Sequence, residues 1–191
     1  FVSILCERTD ETPLPAGNGA IGIDVVIKDL AVLDNGERYE GPHALKSAMQ
    51  KLQREQRILS RKTRGSHRYE AQRLKVAKLH ERVSNIRKDY AHKLSSSLIR
   101  KYDQIAIESL SIREMLKGAE KERARGIMDS GWREFANMLE YKAQWYGRTL
   151  IKIDPYYPSS QLCSECGHKN QKVKDTSIRE WTCPVCGTVH D

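Results

Sequence analysis

The residues of this chain best suited to chemistry are four cysteines in two C-x-x-C pairs and two acids set against apolar runs. Cys163 and Cys166 form the first pair, Cys183 and Cys186 the second, with sixteen residues between them. Each pair can present two thiolates from a tight knuckle, and Gly167 or Gly187 follows to relieve backbone crowding there. Four thiolates fill a tetrahedral shell and leave no open position. The spacing therefore predicts a structural zinc ribbon rather than a catalytic metal. Iron, or an empty reduced site, is the alternative. His168 and His190 lie near, but with four sulfurs in place they are expected behind the ligands or facing solvent.

The acids are Asp24, which interrupts the apolar run AIGIDVVI, and Glu108, which closes QIAIE. A charge in a central strand is costly unless it is paired or holds a metal. Two carboxylates on neighbouring strands of one sheet could hold Mg²⁺ for phosphodiester chemistry. Taken singly, either could mark a strand end that faces water, Glu108 more readily than the mid-run Asp24.

The elements that must position these groups follow from periodicity. FVSILCE (1–7) alternates as a strand would, with Cys6 as a small core hydrophobe, and Thr9–Gly19 reads as a linker. Ala20–Ile27 is long enough for a buried central strand. LAVLDNGERYE gives strand, Asn35-Gly36 turn and strand, so three antiparallel strands form a meander. From about His43 the spacing of Leu45, Met49, Leu52, Gln56 and Leu59 predicts a helix with a coiled-coil-like seam. After a break at Gly65-Ser66 the seam resumes through Leu79, Val83, Ile86, Tyr90, Leu94 and Leu98, completing a helical hairpin. Gln104–Glu108 reads as a buried strand and 111–125 as a loop. A helix follows with Trp132, Phe135, Ala136 and Leu139 on one stripe, Asp129 or Ser130 as N-cap and Gly147 as C-cap. Thr149–Asp154 is another buried strand. The order β-β-β, hairpin, β, α, β predicts an α/β ribonuclease H-like fold, with the cysteine element appended.

Charge is distributed unevenly. The chain carries +8 overall, yet residues 44–102 hold 17 Lys/Arg against 4 Asp/Glu. An excess of that size on one element suits a polyanion, nucleic acid being the usual one, or else a solvated helix face. No apolar run approaches the roughly 20 residues needed to cross a bilayer. Cysteines spent on C-x-x-C pairs indicate a reducing compartment.

Taken in order, GIDVVIKDLAVL, IAIESL, WREFANMLEYKAQWYGRTLIKIDPYYPSSQLCSECG and REWTCPVCGTVHD resemble the TnpB (OrfB) proteins of bacterial and archaeal insertion sequences, relatives of the type V CRISPR effectors. The resemblance covers almost the whole chain from about Gly22. It implies a RuvC-type nuclease domain of ribonuclease H-like fold with a basic helical-hairpin insertion at about 44–102 and a small zinc ribbon. The expected layout is a remnant strand and linker of a preceding domain at 1–19, the RuvC-like core at 20–157, and the ribbon at 158–191. Asp24 would be the first-motif aspartate and Glu108 the second-motif glutamate, binding catalytic Mg²⁺, while the four cysteines hold structural Zn²⁺. Arg57, Arg61, Lys62, Arg64, Arg68, Lys75 and Arg82 on the hairpin would meet phosphates. The implied partners are DNA and a guide RNA, with no membrane and no small-molecule substrate, in a prokaryotic cytoplasm at the nucleoid.

Two departures stand out. The family's first motif usually ends in glycine where this chain has Val26, and a branched side chain could obstruct close approach there. The family's third carboxylate would lie two residues beyond Asp191, so the stretch reads as a fragment that would be inactive alone. A nuclease-inactive nucleic-acid-binding repressor or accessory factor on the same scaffold is the alternative function.

Overall fold

Two isoleucine pairs explain the centre of the molecule. In β1 (Ala20–Asp24) and β4 (Gln104–Glu108), Ile21, Ile23, Ile105 and Ile107 fall on alternate positions and are buried. Strand side chains alternate between faces, so this register turns all four toward one side of the sheet. The computed structural model describes residues 2, 4–5, 13–26, 29–155, 157–158, 161–174, 178 and 180–190. Its five-stranded mixed sheet runs β3-β2-β1-β4-β5. Here β2 is Asp29–Leu33, β3 is Arg38–Glu40 and β5 is Thr149–Ile153. The first three strands pair antiparallel as a meander, and β1, β4 and β5 are parallel.

The buried face is covered by the C-terminal half of α2 (His67–Lys101) and by α5 (Trp132–Trp145). Leu94, Leu98 and Ile99 meet Phe135, Met138 and Leu139 in one core with the strand isoleucines. Each such side chain contributes about 1.5–3 kcal/mol by leaving water. The stripe on α5 also takes in Lys142, which is 5% exposed. Its Nζ donates to His92 O, Ser95 Oγ and Ser96 Oγ, which ties α5 to α2. Burial, with Arg100 adding to it, pulls the Lys142 pKa down.

The hairpin consists of α1 (Ala44–Ser60) and α2 joined by a short turn. Ser66 caps α2 by accepting from Tyr69 N at 3.1 Å. The seam differs from the expected one. α2 begins at His67, and Gln72 and Val76 are buried, whereas Ile86 is 39% exposed and Gln56 lies in solvent. Gln72 escaped the apolar pattern because its burial is polar: its amide donates to Glu55 O at 3.1 Å and Glu55 Oε2 at 2.6 Å.

Other expectations are corrected. β1 stops at Asp24, so this acid ends its strand rather than interrupting it, and Ile27 lies outside the described residues. Of the expected first strand, Val2, Ile4 and Leu5 are exposed and carry no strand, and Cys6 lies outside the description. Residues 111–125 are largely helical, with α3 at Ile112–Leu116 and α4 at Lys121–Ser130. α3 leaves Ile112, Met115 and Leu116 only partly buried against the core and α4 buries Ile127 and Asp129, a pattern too short to announce either helix. β5 is an edge strand, with Ile151 46% exposed. Gly131 occupies the N-cap position of α5, which has no side-chain cap, and Tyr146 occupies the C-cap with left-handed Gly147 beyond it. Asp129 caps a different helix: its carboxylate accepts from Leu45 N and Lys46 N at the start of α1 and from Arg87 of α2.

The described part of the expected linker is irregular and tied down. Asp103 accepts from Gly17 N at 2.8 Å and from Arg148, whose guanidinium also donates to Pro15 O. The chain divides into two compact units, 1–153 and 154–191.

Candidate metal and nucleic-acid sites

On the sheet face opposite the helices, the residues alternating with the isoleucines are Gly22 and Asp24 on β1, and Ala106 and Glu108 on β4. Register pairs Ile23 with Ile107. One step further, at the C-terminal ends of two parallel strands, stand Asp24 and Glu108. Neighbouring strands lie about 4.8 Å apart, which makes the two acids lateral neighbours. Their charges register this proximity. Burial raises the Glu108 pKa above the ordinary 4.5, and the Asp24 carboxylate raises it further. Two oxygen donors that repel one another suit a hard divalent cation. Gly22 lies beside them: its N–H donates to Asp34 Oδ2 at 2.8 Å, and a Cβ there would stand 3.2 Å from that oxygen. Val26, half-buried, follows just after β1, and Asp191 lies outside the described residues.

In the second unit, the two cysteine pairs form matching knuckles. Gly167 N donates to Cys163 O and Gly187 N to Cys183 O, both at 2.9 Å. Each glycine has φ near +70° (70° and 76°), where a Cβ would be strained. The four Sγ atoms lie within 4.8 Å of one another, with Cys163 and Cys183 buried and Cys166 and Cys186 exposed. Zn–S bonds of about 2.3 Å in a tetrahedron need sulfurs just under 4 Å apart, so the set fits zinc. The Thr188 hydroxyl and then its amide bring the Cys186 thiol down to about 6, while Cys166, despite a backbone hydrogen bond at His168 that lowers it, is pushed up to about 12 by burial and the three neighbouring thiols. His190 does stand behind the ligands: its Nε2 is 3.1 Å from Cys163 Sγ and its ring lies against Trp181, centroids 4.6 Å apart. The strands β6 (Trp181–Thr182) and β7 (Val189–His190) hold that arrangement.

The seven expected phosphate contacts gather around the hairpin's tip and along α2. Arg57 is in the last turn of α1, Arg61 is its C-cap, and Lys62 and Arg64 are in the turn. Arg68, Lys75 and Arg82 follow at intervals of seven, which keeps them on one helix face. All are exposed except the half-buried Lys62, whose Nζ donates to Arg68 O. Among the described residues none of the seven enters an ion pair, whereas Arg73, Arg87, Lys93 and Lys101 are matched by Glu70, Asp129, Asp89 and Glu37. These seven are part of a larger unmatched set on the hairpin that also includes Lys46, Lys51, Arg54, Lys78, Lys88 and Arg100. Replacing Arg61, Lys62 and Arg64 together with glutamine is expected to weaken DNA binding. It should flatten the slope of log affinity against log salt by up to about three units if all contact duplex phosphates. Fluorescence anisotropy across a salt series measures this, and an unchanged slope would mean a solvated face.

Residues 3–119 match the OrfB_IS605 family, described as "Probable transposase". The chain belongs to the TnpB (OrfB) family. Residues 132–191 match a second family, the Cas12f1-like TNB domain. A Streptomyces pristinaespiralis protein named "Putative RNA-guided DNA endonuclease" is 44% identical over 100% of this chain and 46% of its own length. Escherichia coli K12 InsQ, similarly named, is 34% identical over 94% of this chain and 48% of its own length. The Cas12f1 CRISPR-associated endodeoxyribonuclease of Sulfoacidibacillus thermotolerans is 29% identical over 55% of this chain and 24% of its own. This TnpB-family chain thus spans about half the length of the curated relatives it matches.

Sequence reasoning missed two features of this TnpB-family chain. Asp129 joins three helices, and the only signal was an acid ahead of a helix, which reads as a local cap. Arg113 and Arg133 both line a cavity that Glu108 also borders, and nothing in the spacing of the two arginines foretells it.

Proposed function

We propose that this chain forms the catalytic portion of an RNA-guided DNA endonuclease of a transposable element, with a RuvC-type ribonuclease H-like core and a zinc ribbon. The observation that carries the reading is the pair Asp24 and Glu108, side by side at the ends of parallel strands, where burial and then the Asp24 charge raise the cost of ionising Glu108. The family membership and the names of the relatives support it, as does a meander extended by two parallel strands. Asp24 and Glu108 would hold Mg²⁺, which when bound supplies an activated water and neutralises charge on the leaving oxygen. The sheet fixes the backbone from which both carboxylates project, which supports a site whose spacing is set before substrate arrives. The hairpin's unmatched cations would hold the nucleic-acid backbone, leaving target sequence to base pairing. Cys163, Cys166, Cys183 and Cys186 would hold Zn²⁺ as a purely structural ion.

Glu108 offers a test that needs no cleavage. Its folded pKa lies above the unfolded value, so near pH 4 the folded state holds the proton at no disadvantage. As pH rises from about 4.5 through the raised value, the unfolded chain ionises first and stability is lost. At pH 7 Glu108→Gln is expected to raise the melting temperature by about 1–2 °C, the side chain being partly solvated. Mg²⁺ should stabilise the wild type and not this variant. In the full-length protein loaded with its guide RNA, Asp24→Ala and Glu108→Gln should each abolish cleavage of a matched DNA target. Cleavage surviving either change overturns the nuclease assignment, and intact binding without cleavage in the unaltered protein supports the repressor.

A further inference from the structure

The helices α2 and α5 cover the sheet face opposite Asp24 and Glu108, and their outer surface carries a feature of its own. Along the last turns of α2 runs an open depression of about 570 Å³. His92, Lys93, Ser96, Ser97, Arg100 and Lys101 line it, and no carboxylate does. Lys93 and Lys101 are already matched by Asp89 and Glu37. Arg100 is exposed and, among the described residues, forms no ion pair.

Lys142 stands behind this depression, bonded to two of the residues that line it. It is 5% exposed, and its Nζ donates to His92 O, Ser95 Oγ and Ser96 Oγ. Those three bonds satisfy its N–H groups, yet all three acceptors are neutral. Among the described residues no acid pairs with it, and a buried charge without a counter-ion is costly. Arg100 adds to the cost, since burial and then its charge pull the Lys142 pKa down. An anion in the depression would offset both cations. Ser96 links them to it: its Oγ accepts from Lys142 at 2.8 Å, which leaves its own O–H to donate outward.

On one flank the depression meets aromatic surface. His92 Nδ1 lies 3.4 Å from the Tyr141 hydroxyl, and the Tyr141 ring meets Trp145 edge-on with centroids 4.6 Å apart. Trp145 is 46% exposed, a large apolar ring left in water. Cationic donors beside an exposed indole suit a single nucleic-acid strand, whose phosphate takes the charge and whose base takes the ring. Paired strands keep their base faces hidden, so a duplex suits this surface less.

We propose that the α2–α5 surface holds one phosphodiester of a single nucleic-acid strand on Arg100, Ser96 and Ser97, with an adjacent base stacked on Trp145. Lys142 does not touch the strand. It is a positioning residue that polarises the Ser96 hydroxyl. The inference rests on the reading above that the chain handles nucleic acid, and it adds a contact on the side of the sheet away from the two carboxylates. The strand held here is therefore outside the reaction centre. RNA and DNA share this backbone chemistry, and the experiment separates them.

The test titrates this chain with short single-stranded RNA and DNA of one sequence, their duplex, and inorganic phosphate, while tryptophan emission is read. Trp145→Phe identifies the share of the signal that belongs to Trp145. The expected result is that single strands quench Trp145 and the duplex quenches it far less. A stronger response to RNA assigns the guide, and one to DNA assigns a DNA strand. Arg100→Gln and Ser96→Ala, at the surface of α2, each lower affinity by about threefold to tenfold, and Arg100→Gln flattens the salt slope by about 0.7. Ser96→Thr restores the affinity, and Lys142→Met weakens binding no further once Ser96 is alanine. Replacing Arg61, Lys62 and Arg64 lowers affinity but leaves the quenching at saturation. Affinity unchanged in both Arg100→Gln and Ser96→Ala, or equal quenching by duplex, overturns the proposal. So does binding of inorganic phosphate with no quenching by any strand, which would mean a free-anion site. Asp24→Asn leaves the quenching intact, whereas cleavage that survives Asp24→Ala in the loaded full-length protein overturns the nuclease assignment instead, so the two failures are told apart.

Discussion

Removing the metal proposed for Cys163, Cys166, Cys183 and Cys186 with a chelator is expected to unfold residues 154–191 while residues 1–153 stay folded. Within the ribbon the buried cluster is Cys163, Val173, Trp181 and Cys183, and half of it consists of ligands. Burying Val173 and Trp181 returns only about 1.5–3 kcal/mol apiece. Zinc in small modules contributes about 10–16 kcal/mol, several times what those two side chains return. Purified chain should contain one zinc equivalent, and hydrogen exchange should show loss of protection across 161–190 after chelation with β1, β4 and α5 unchanged. Cys163→Ser should do the same without chelator. His190→Ala, which removes the group beside Cys163 Sγ, should weaken zinc binding about 10–100-fold. Substoichiometric metal, or a ribbon still protected after chelation, would defeat the zinc assignment.

Asp129→Ala should cost the first unit about 3–5 kcal/mol, the usual penalty for removing one member of a buried ion pair. Asp129 is 9% exposed, and Arg87 Nε donates to it at 2.9 Å. It also accepts from Leu45 N at 3.0 Å and Lys46 N at 3.2 Å. The N-cap position of α1 is His43, with φ of 42° and no side-chain cap, so Asp129 takes over the work of a local cap. Losing it strands the Arg87 charge and uncaps a helix in one step. Asp129→Asn keeps an acceptor for the helix and should cost less. Arg87→Ala combined with Asp129→Ala should fall well short of additive, because the second change removes a partner already lost. Urea denaturation measures all four. A loss below about 1 kcal/mol for Asp129→Ala would mean that solvent replaces the pair. Because the same carboxylate docks the hairpin, Asp129→Ala should also weaken DNA binding.

Periodicity alone placed β2, β3, β4, the hairpin and α5, because each carries an apolar pattern that only one type of element can bury. The knuckles were equally legible: C-x-x-C-G describes a local turn whose geometry depends on few residues beyond itself. Glu108 was placed at its strand's end for the same local reason. What the pattern could not supply was burial by polar means. Gln72, Lys142 and Asp129 sit inside the fold through hydrogen bonds to partners up to 84 residues away, and a polar letter in a sequence looks the same whether its partner is water or a distant amide. Helices α3 and α4 were read as loop because their apolar pattern is too short, and Ile86 was assigned to the core because an apolar residue at seam spacing does not reveal which neighbours reach it. The pairing of Asp24 with Glu108 was expected from strand order, but their relation as lateral neighbours depends on the register of β1 against β4, a long-range choice fixed by Ile23 meeting Ile107. The cavity beside Glu108 is a wholly tertiary feature, since its walls come from segments whose spacing in the chain carries no period to read.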